Sequence, residues 1–338
     1  MKKMRIGIIC PSEIAFRRFL PALISSESFE YAGVAIASSE DWDGDYTSET
    51  RKTELNKAQR FVDNYGGNIY NGYNALIKDD SVDAIYLPLP PALHYLWGKR
   101  VLKAKKHLFV EKPSTTCAEY TKELICLARE RNIAVHENYM FVYHNQLKTI
   151  HDYVNEGKIG DVRLVRIAFG FPKRTSGDFR YNKKLGGGAL LDAGGYTVKL
   201  ASLILGDNVN IVSSRLNYVD EFDVDIYGNA VMENADGLTA QLSFGMDNCY
   251  KCELEIWGSK GVLFTDRILT APVGFEPVLK YKFENEPVKN IKLEPDDTFR
   301  KSIEFFHKCI SDTDTRIKHY DEIIKQAEYI DQIKGDCL

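Results

Sequence analysis

Met4-Arg5-Ile6-Gly7-Ile8-Ile9-Cys10-Pro11-Ser12-Glu13-Ile14-Ala15 decides how this chain is to be read. Residues 4–9 suit a short buried strand, Pro11 ends it, and Ser12 offers a side-chain acceptor at a helix start, so a helix is expected over 14–24. A strand that turns directly into a helix presents backbone N–H groups and a positive helix end to an anion. In the usual dinucleotide-binding turn, G-x-G-x-x-G/A, the first glycine makes the turn and the second lets phosphate approach the backbone. Cys10, Ser12 and Ala15 stand at the three positions here, and only Ala15 fits. Serine is small and can donate a hydrogen bond, whereas Pro11 supplies no N–H. The motif alone leaves two readings open: a nucleotide site using Cys10, Pro11, Ser12 and Ile14, or a strand–turn–helix that has lost it.

The same alternation continues outward. Strands are expected over 31–37, 84–89, 107–110 and 133–136, and helices over 55–65, 92–104 and 117–131, with Gly66-Gly67 stopping the first of these helices. The polar, acidic stretch 38–53 reads as a surface insertion. Strands separated by helices of this length imply βαβ units and a parallel sheet. At the end of the second strand, where NAD enzymes place an acid for the ribose hydroxyls, stand Ser38 and Ser39, with Glu40 and Asp41 slightly later. The missing acid leans to NADP over NAD, and the absence of an adjacent arginine keeps both open.

Beyond about residue 140 the pattern changes. A helix over 146–155 is followed by alternating segments over 162–169, 209–218, 226–233, 238–244 and 252–257, which suit an antiparallel sheet with one covered face. A helix over 189–205 interrupts them, and 298–333 reads as a helical tail. The expected fold class is therefore α/β plus α+β. It comprises an N-terminal Rossmann doubly wound parallel sheet over 1–138 and a C-terminal domain on a mostly antiparallel open sheet over 139–338. Whether the tail packs back on the first domain is left open.

The 338 residues exceed one simple core, and 44% hydrophobic with 27% charged residues is the composition of a folded protein. A formal net charge of -4 gives no electrostatic reason to expect nucleic acid as a partner. No apolar run is expected to be long enough to cross a bilayer, and residues 6–10 are too short for an export signal, so no membrane partner and a cytoplasmic location are the default. Seven scattered cysteines argue against a disulfide framework. The Cys249/Cys252 pair lacks a second pair at zinc spacing, so no metal is expected.

Two stretches and a third farther on carry a resemblance. Leu87-Pro88-Leu89-Pro90-Pro91-Ala92-Leu93-His94 follows the third strand, and Lys106-His107-Leu108-Phe109-Val110-Glu111-Lys112-Pro113 follows the next helix. Gly186-Gly187-Gly188-Ala189-Leu190-Leu191-Asp192-Ala193-Gly194-Gly195-Tyr196 comes in the second domain. In this order they resemble the glucose–fructose oxidoreductase/inositol dehydrogenase (Gfo/Idh/MocA) family over nearly the whole chain. Residues 14–18 with Leu20-Pro21-Ala22-Leu23 are most similar to the ketoreductases of nucleotide-linked sugars within it.

The resemblance implies hydride transfer between a nicotinamide cofactor and a sugar or nucleotide-sugar carbonyl or hydroxyl. It implies that Lys112 polarises the reacting oxygen, that Tyr196 gives or takes the proton, and that Asp192 orients them. Tyrosine is a weak acid with a pKa of about 10, and a nearby ammonium stabilises its phenolate, so which of Lys112 and Tyr196 is the acid/base stays open. Leu89, Pro90, His94, Glu111 and Lys112 are expected along the cofactor, with a structural hydrogen bond an equal alternative for His94, and Arg180 and Tyr181 at the substrate. Lys199, where many members have an acid, is expected at the surface. A homodimer or homotetramer paired through the open sheet face is implied as well. Two rival readings share the same residues: a free-sugar, inositol or diol dehydrogenase, and a non-catalytic dinucleotide-sensing regulator.

Overall fold

The opening stretch folds as strand β1 (Met4–Ile9) in a computed structural model that describes residues 3–42, 44–175, 177–284 and 286–335. The chain divides into two units. One holds the chain up to Thr115 together with Glu119–Asn138 and Phe299–Ile324; the other holds Thr116–Ala118, Tyr139–Thr298 and the chain from Lys325 on.

In the first unit β1 is joined by β2 (Phe29–Ile36), β3 (Asn68–Asn71), β4 (Ala84–Leu87), β5 (His107–Val110) and β6 (Val135–Glu137). All pairs are parallel and the order is β3-β2-β1-β4-β5-β6, the doubly wound order with its switch point between β1 and β4. A sheet covered on both faces needs strands that are apolar throughout, and Ala84, Ile85, Tyr86 and Leu87 of β4 are all fully buried. The helices are α1 (Leu20–Ile24), entered through a π-helical turn over Ala15–Phe19, then α2 (Ser48–Tyr65), α3 (Tyr73–Ile77), α4 (Pro91–Lys103) and α5 (Ala118–Arg131).

The insertion expected over 38–53 is shorter than that. Helix α2 begins at Ser48 because the Thr47 side chain accepts the Thr50 N–H, and only Glu54, Ala58 and Phe61 are buried along it. A helix so polar leaves little apolar periodicity to read. Strand β3 and helix α3 escape the sequence for the related reason that each is only a few residues long.

In the second unit α6 (Asn145–Asn155) precedes β7 (Val162–Gly170), α7 (Gly195–Leu205), β8 (Asn210–Tyr218), β9 (Asp225–Glu233), β10 (Thr239–Gly245), β11 (Lys251–Gly258), β12 (Gly261–Thr265), β13 (Val278–Phe283) and β14 (Lys289–Lys292). The eight strands run β14-β13-β12-β11-β7-β10-β9-β8, with β7 and β10 parallel and every other pair antiparallel. Alternation along β9 and β10 sends Ile226, Ala230, Met232, Ala240, Leu242 and Phe244 into the core under α7.

One expectation about apolar runs is corrected. The helical run Lys183–Leu205 is long and apolar enough to cross a membrane by composition, and 78% of its most apolar window is buried inside this unit. Lys199 on it is only 8% exposed, not a surface residue, because Gly195–Ala201 is buried all round. Helices α8 (Thr298–Ser311) and α9 (Thr313–Lys334) close the chain. Phe306 of α8 stacks on Phe29 of β2 at 5.7 Å and meets Phe109 of β5 edge-on at 5.3 Å, so α8 packs on the parallel sheet.

Candidate active site

The turn after β1 holds Cys10 at φ 75°. Glycine enters this left-handed region freely, whereas a residue with a Cβ does so at roughly 1–2 kcal/mol. Cys10 thus takes the first glycine's conformation under strain. Its N–H donates to the Ala35 carbonyl at 3.0 Å and its carbonyl accepts the Ser12 N–H at 2.9 Å. Ser12 Oγ accepts the Ala15 N–H at 3.3 Å, as an N-cap should. With Pro11 lacking an N–H and that of Ser12 committed, the amides of Glu13 and Ile14 are first-turn donors that a helix gives no intrahelical partner. Burial, and then the Glu54 charge, pushes the Cys10 thiol up to about 12, so it stays neutral and adds no negative charge there.

At the end of β2, Asp41 Oδ2 accepts from Ser38 N–H at 2.9 Å, Ser38 Oγ–H at 2.7 Å and Tyr73 N–H at 3.0 Å. Asp41 Oδ1 is buried without a hydrogen-bond partner. An acid does stand at this strand end after all, folded back onto Ser38, and Ser39 is exposed.

Lys112 follows β5 directly, on a loop fastened at several points. The Glu111 N–H donates to Leu87 O at 3.1 Å. Glu111 Oε1 accepts from Tyr86 Oη–H at 2.7 Å and Asn138 Nδ2–H at 2.8 Å. The Ser114 N–H donates to Glu137 Oε1 at 2.6 Å. Burial raises the Glu111 pKa against the pull of Asn138, Tyr86 and the Lys112 charge. His94 spans this loop and the preceding one, with Nδ1 2.8 Å from Pro113 O and Nε2 2.7 Å from Leu89 O. Two carbonyls ask for two N–H groups. Desolvation of a ring with no exposed surface outweighs the second bond and pushes its pKa down to about 4, so the ring is neutral at pH 7 and donates one. Of the two readings open for His94, cofactor lining and a structural hydrogen bond, a fully buried ring set between the Leu89 and Pro113 carbonyls favours the second, which ties the Pro90 and Lys112 loops together.

In the second unit the glycine run meets the physical need for it. A Cβ on Gly187 would lie 2.4 Å from Arg180 O, and Gly188 combines φ 121° with the Asp225 carboxylate 2.3 Å from where its Cβ would be. The chain then enters a π-helical turn, Leu190–Gly194, capped by Asp225 Oδ2, which accepts the Leu190 N–H at 2.7 Å. Asp192 lies in that turn, so its i, i+4 relation to Tyr196 is not that of a regular α-helix. Its Oδ2 accepts from Arg180 Nε at 2.6 Å, while Arg180 Nη1 reaches Asp178 at 3.0 Å. Burial disfavours the guanidinium charge, and the two carboxylates outweigh it and raise its pKa. Tyr196, 8% exposed, is caged by Tyr139 at 5.3 Å, Phe169 at 5.3 Å and Phe141 at 5.8 Å. Tyr181 is turned inward, stacked on Phe222 at 4.4 Å, its hydroxyl accepting the Arg174 N–H at 2.9 Å.

Comparison with known proteins places these residues in a lineage. Residues 43–139 match the model of the oxidoreductase family with an NAD-binding Rossmann fold, and residues 147–264 match the GFO/IDH/MocA C-terminal domain. The chain belongs to this family. It is 36% identical to a dTDP-3,4-didehydro-2,6-dideoxy-alpha-D-glucose 3-reductase of Actinomadura kijaniata over 98% of this chain and 95% of the relative. A reductase of the same name from Streptomyces violaceoruber is 40% identical over 83% of this chain and 78% of its own. The crystal structure of a 3-ketoreductase from Actinomadura kijaniata in complex with NADP and TDP-benzene superposes with a TM-score of 0.90 at 35% identity, covering 99% of this chain and 98% of that one.

As a family member the protein is an NAD(P)-dependent oxidoreductase. Its own residues fit the cofactor: a switch point between β1 and β4, a left-handed turn at Cys10, a capped helix start, and a buried carboxylate oxygen of Asp41 without a partner at the end of β2. Sequence reasoning missed Asp41 as the strand-end acid and missed Tyr86 and Asn138 behind Glu111. Only the parallel register that sets β4, β5 and β6 side by side brings the last two to it.

Proposed function

We propose that the protein reduces the 3-keto group of a dTDP-linked deoxysugar with NADPH. The observation that carries this is end-to-end similarity to the Actinomadura kijaniata reductase, 36% identity over 98% of the chain, with Lys112 and Tyr196 both present in the fastened and caged settings described above. That relative has also been solved as variants of one lysine and of one tyrosine, the two residue types at issue here.

NADPH, when bound, supplies the hydride. Lys112 offers an ammonium to the carbonyl oxygen and stabilises negative charge as it develops there. Tyr196 donates its phenolic proton to that oxygen, completing the alcohol, and is reprotonated from solvent. Asp192 holds Arg180, and Arg180 answers to the anionic or hydroxylated part of the substrate. The Glu13 and Ile14 amides, with Ser12 and Pro11 shaping the turn, would hold pyrophosphate, Ser38 and Asp41 would hold the adenosine ribose, and Leu89, Pro90 and Glu111 would border the nicotinamide. The enzyme pairs as a homodimer or homotetramer through the open face of the eight-stranded sheet, where Trp257 is 49% and Tyr227 46% exposed. The experiment is NADPH oxidation at 340 nm with the dTDP-linked 3-keto sugar generated in the cuvette, compared among wild type, Lys112→Ala and Tyr196→Phe.

A further inference from the structure

Behind Glu111 a line of buried polar side chains leads away through the first unit to its surface. Asn138 Nδ2 donates to Glu111 Oε1 at 2.8 Å, and Asn138 Oδ1 accepts from Ser302 Oγ at 2.8 Å. Ser302 Oγ lies 2.8 Å from His136 Nε2, His136 Nδ1 lies 3.0 Å from His319 Nε2, and His319 Nδ1 lies 3.2 Å from Glu322 Oε2. Asn138, His136 and Ser302 have no exposed surface and His319 has 5%. The positions just after β5 and β6 supply Glu111 and Asn138, β6 supplies His136, and helices α8 and α9, more than 160 positions later in the sequence, supply Ser302 and His319.

From His319 to Glu111 the donors in this line run in one direction. A carboxylate only accepts, so Glu111 requires the amide side of Asn138. The Asn138 oxygen must then face Ser302, which has a single proton and gives it there. Ser302 can only accept from His136, which therefore carries its proton on Nε2 and accepts on Nδ1 from His319. The amide of Asn138 cannot pass a proton along as a hydroxyl can, so the line is not a proton path. What it fixes is orientation: it decides which way round Asn138 stands beside the carboxylate adjacent to Lys112.

We infer that Ser302, backed by His136, is a positioning residue for Lys112, acting through Asn138 and Glu111. Without its hydroxyl the Asn138 oxygen is buried unsatisfied and the amide is free to turn, setting an oxygen against the Glu111 carboxylate. The loop carrying Lys112 then loses one of the hydrogen bonds that hold its preceding residue, leaving those from Tyr86 and to Leu87. Misplacement of a catalytic group by a fraction of an ångström is felt in turnover more than in binding. This inference rests on Lys112 being the group that polarises the substrate oxygen.

The test compares Ser302→Ala, Ser302→Thr, Ile303→Val and Lys112→Ala in the NADPH-dependent keto-sugar assay, with NADPH affinity followed by fluorescence and folding by thermal melting. Ser302→Ala is expected to lower kcat about ten-fold with KM and NADPH affinity within about two-fold of wild type, and Ser302→Thr to restore most of the loss. Ile303→Val, a truncation of the buried neighbour on α8, controls for packing and is expected to lower the melting temperature while leaving kcat unchanged. Wild-type kcat in Ser302→Ala, or an equal fall in Ile303→Val, would overturn the inference while leaving Lys112 in place. Full activity of Lys112→Ala would instead overturn the catalytic reading on which it rests.

Discussion

Arg180 stands between two carboxylates, 2.6 Å from Asp192 and 3.0 Å from Asp178, with its own side chain only 21% exposed. A buried cation of this kind is held by its partners, and removing it leaves two acids facing each other without the guanidinium between them. Arg180→Met is therefore expected to destabilise the fold by about 2–3 kcal/mol in urea unfolding. Asp192→Asn keeps one partner and should cost less, about 1 kcal/mol. Equal stability of Arg180→Met and wild type would mean that the triad carries no net charge coupling.

Asp225 gives the protein a pH dependence with a definite sign. Burial raises its pKa to about 6 from an ordinary 3.8, against the lowering effect of the Leu190 N–H. Between those two values the folded state keeps a proton that the unfolded state has lost, so this contribution is present below the lower value and fades as pH rises through the upper one. Asp225→Asn can still accept the Leu190 N–H and has no charge to desolvate. The difference in melting temperature between Asp225→Asn and wild type should grow in the variant's favour from pH 4 to pH 6. A difference that is flat across that window would show that Asp225 titrates normally.

Asp41 should set the balance between the two cofactors. Its carboxylate lies at the end of β2, where a 2′-phosphate is repelled and a 2′-hydroxyl welcomed. Asp41→Asn is expected to shift the ratio of NADPH to NADH affinity towards NADPH by about five-fold, read by fluorescence titration of both cofactors. An unchanged ratio would mean that the Ser38–Asp41 turn does not face the adenosine ribose.

The open sheet face should mediate self-association. Trp257 of β11 is 49% exposed and lies 5.7 Å from the Arg166 guanidinium. Trp257→Asp places a charge in that face and is expected to shift the light-scattering mass towards the monomer, with little change in melting temperature. An unchanged mass would move the pairing surface elsewhere.

Much of this could be read from the residues alone, for reasons that differ from place to place. The parallel sheet was legible because β1, β4 and β5 are apolar runs bounded by Pro11, Pro88 and Pro113. Motifs in a recognisable order nominated Lys112, Asp192 and Tyr196 for the proposed site. The neighbours that give these residues their settings were not legible. Asn138 lies 27 positions after Glu111 and Ser302 far beyond both, so only strand register and the return of α8 bring them together. For His94 the sequence left a ligand contact and a structural hydrogen bond equally open, and its full burial favours a clasp between two loops. Short or polar elements such as α3, β3 and β14 carry too little apolar pattern to be seen in advance.

On the proposed mechanism, Lys112 and Tyr196 together carry the reduction of a nucleotide-linked 3-keto sugar. The most direct measurement is steady-state NADPH oxidation with that substrate for wild type, Lys112→Ala and Tyr196→Phe. Wild type should turn over, and each variant should lose at least about 100-fold in kcat with NADPH still bound. Folded wild-type protein that binds NADPH yet leaves the keto sugar untouched, or variants as active as wild type, would contradict this mechanism.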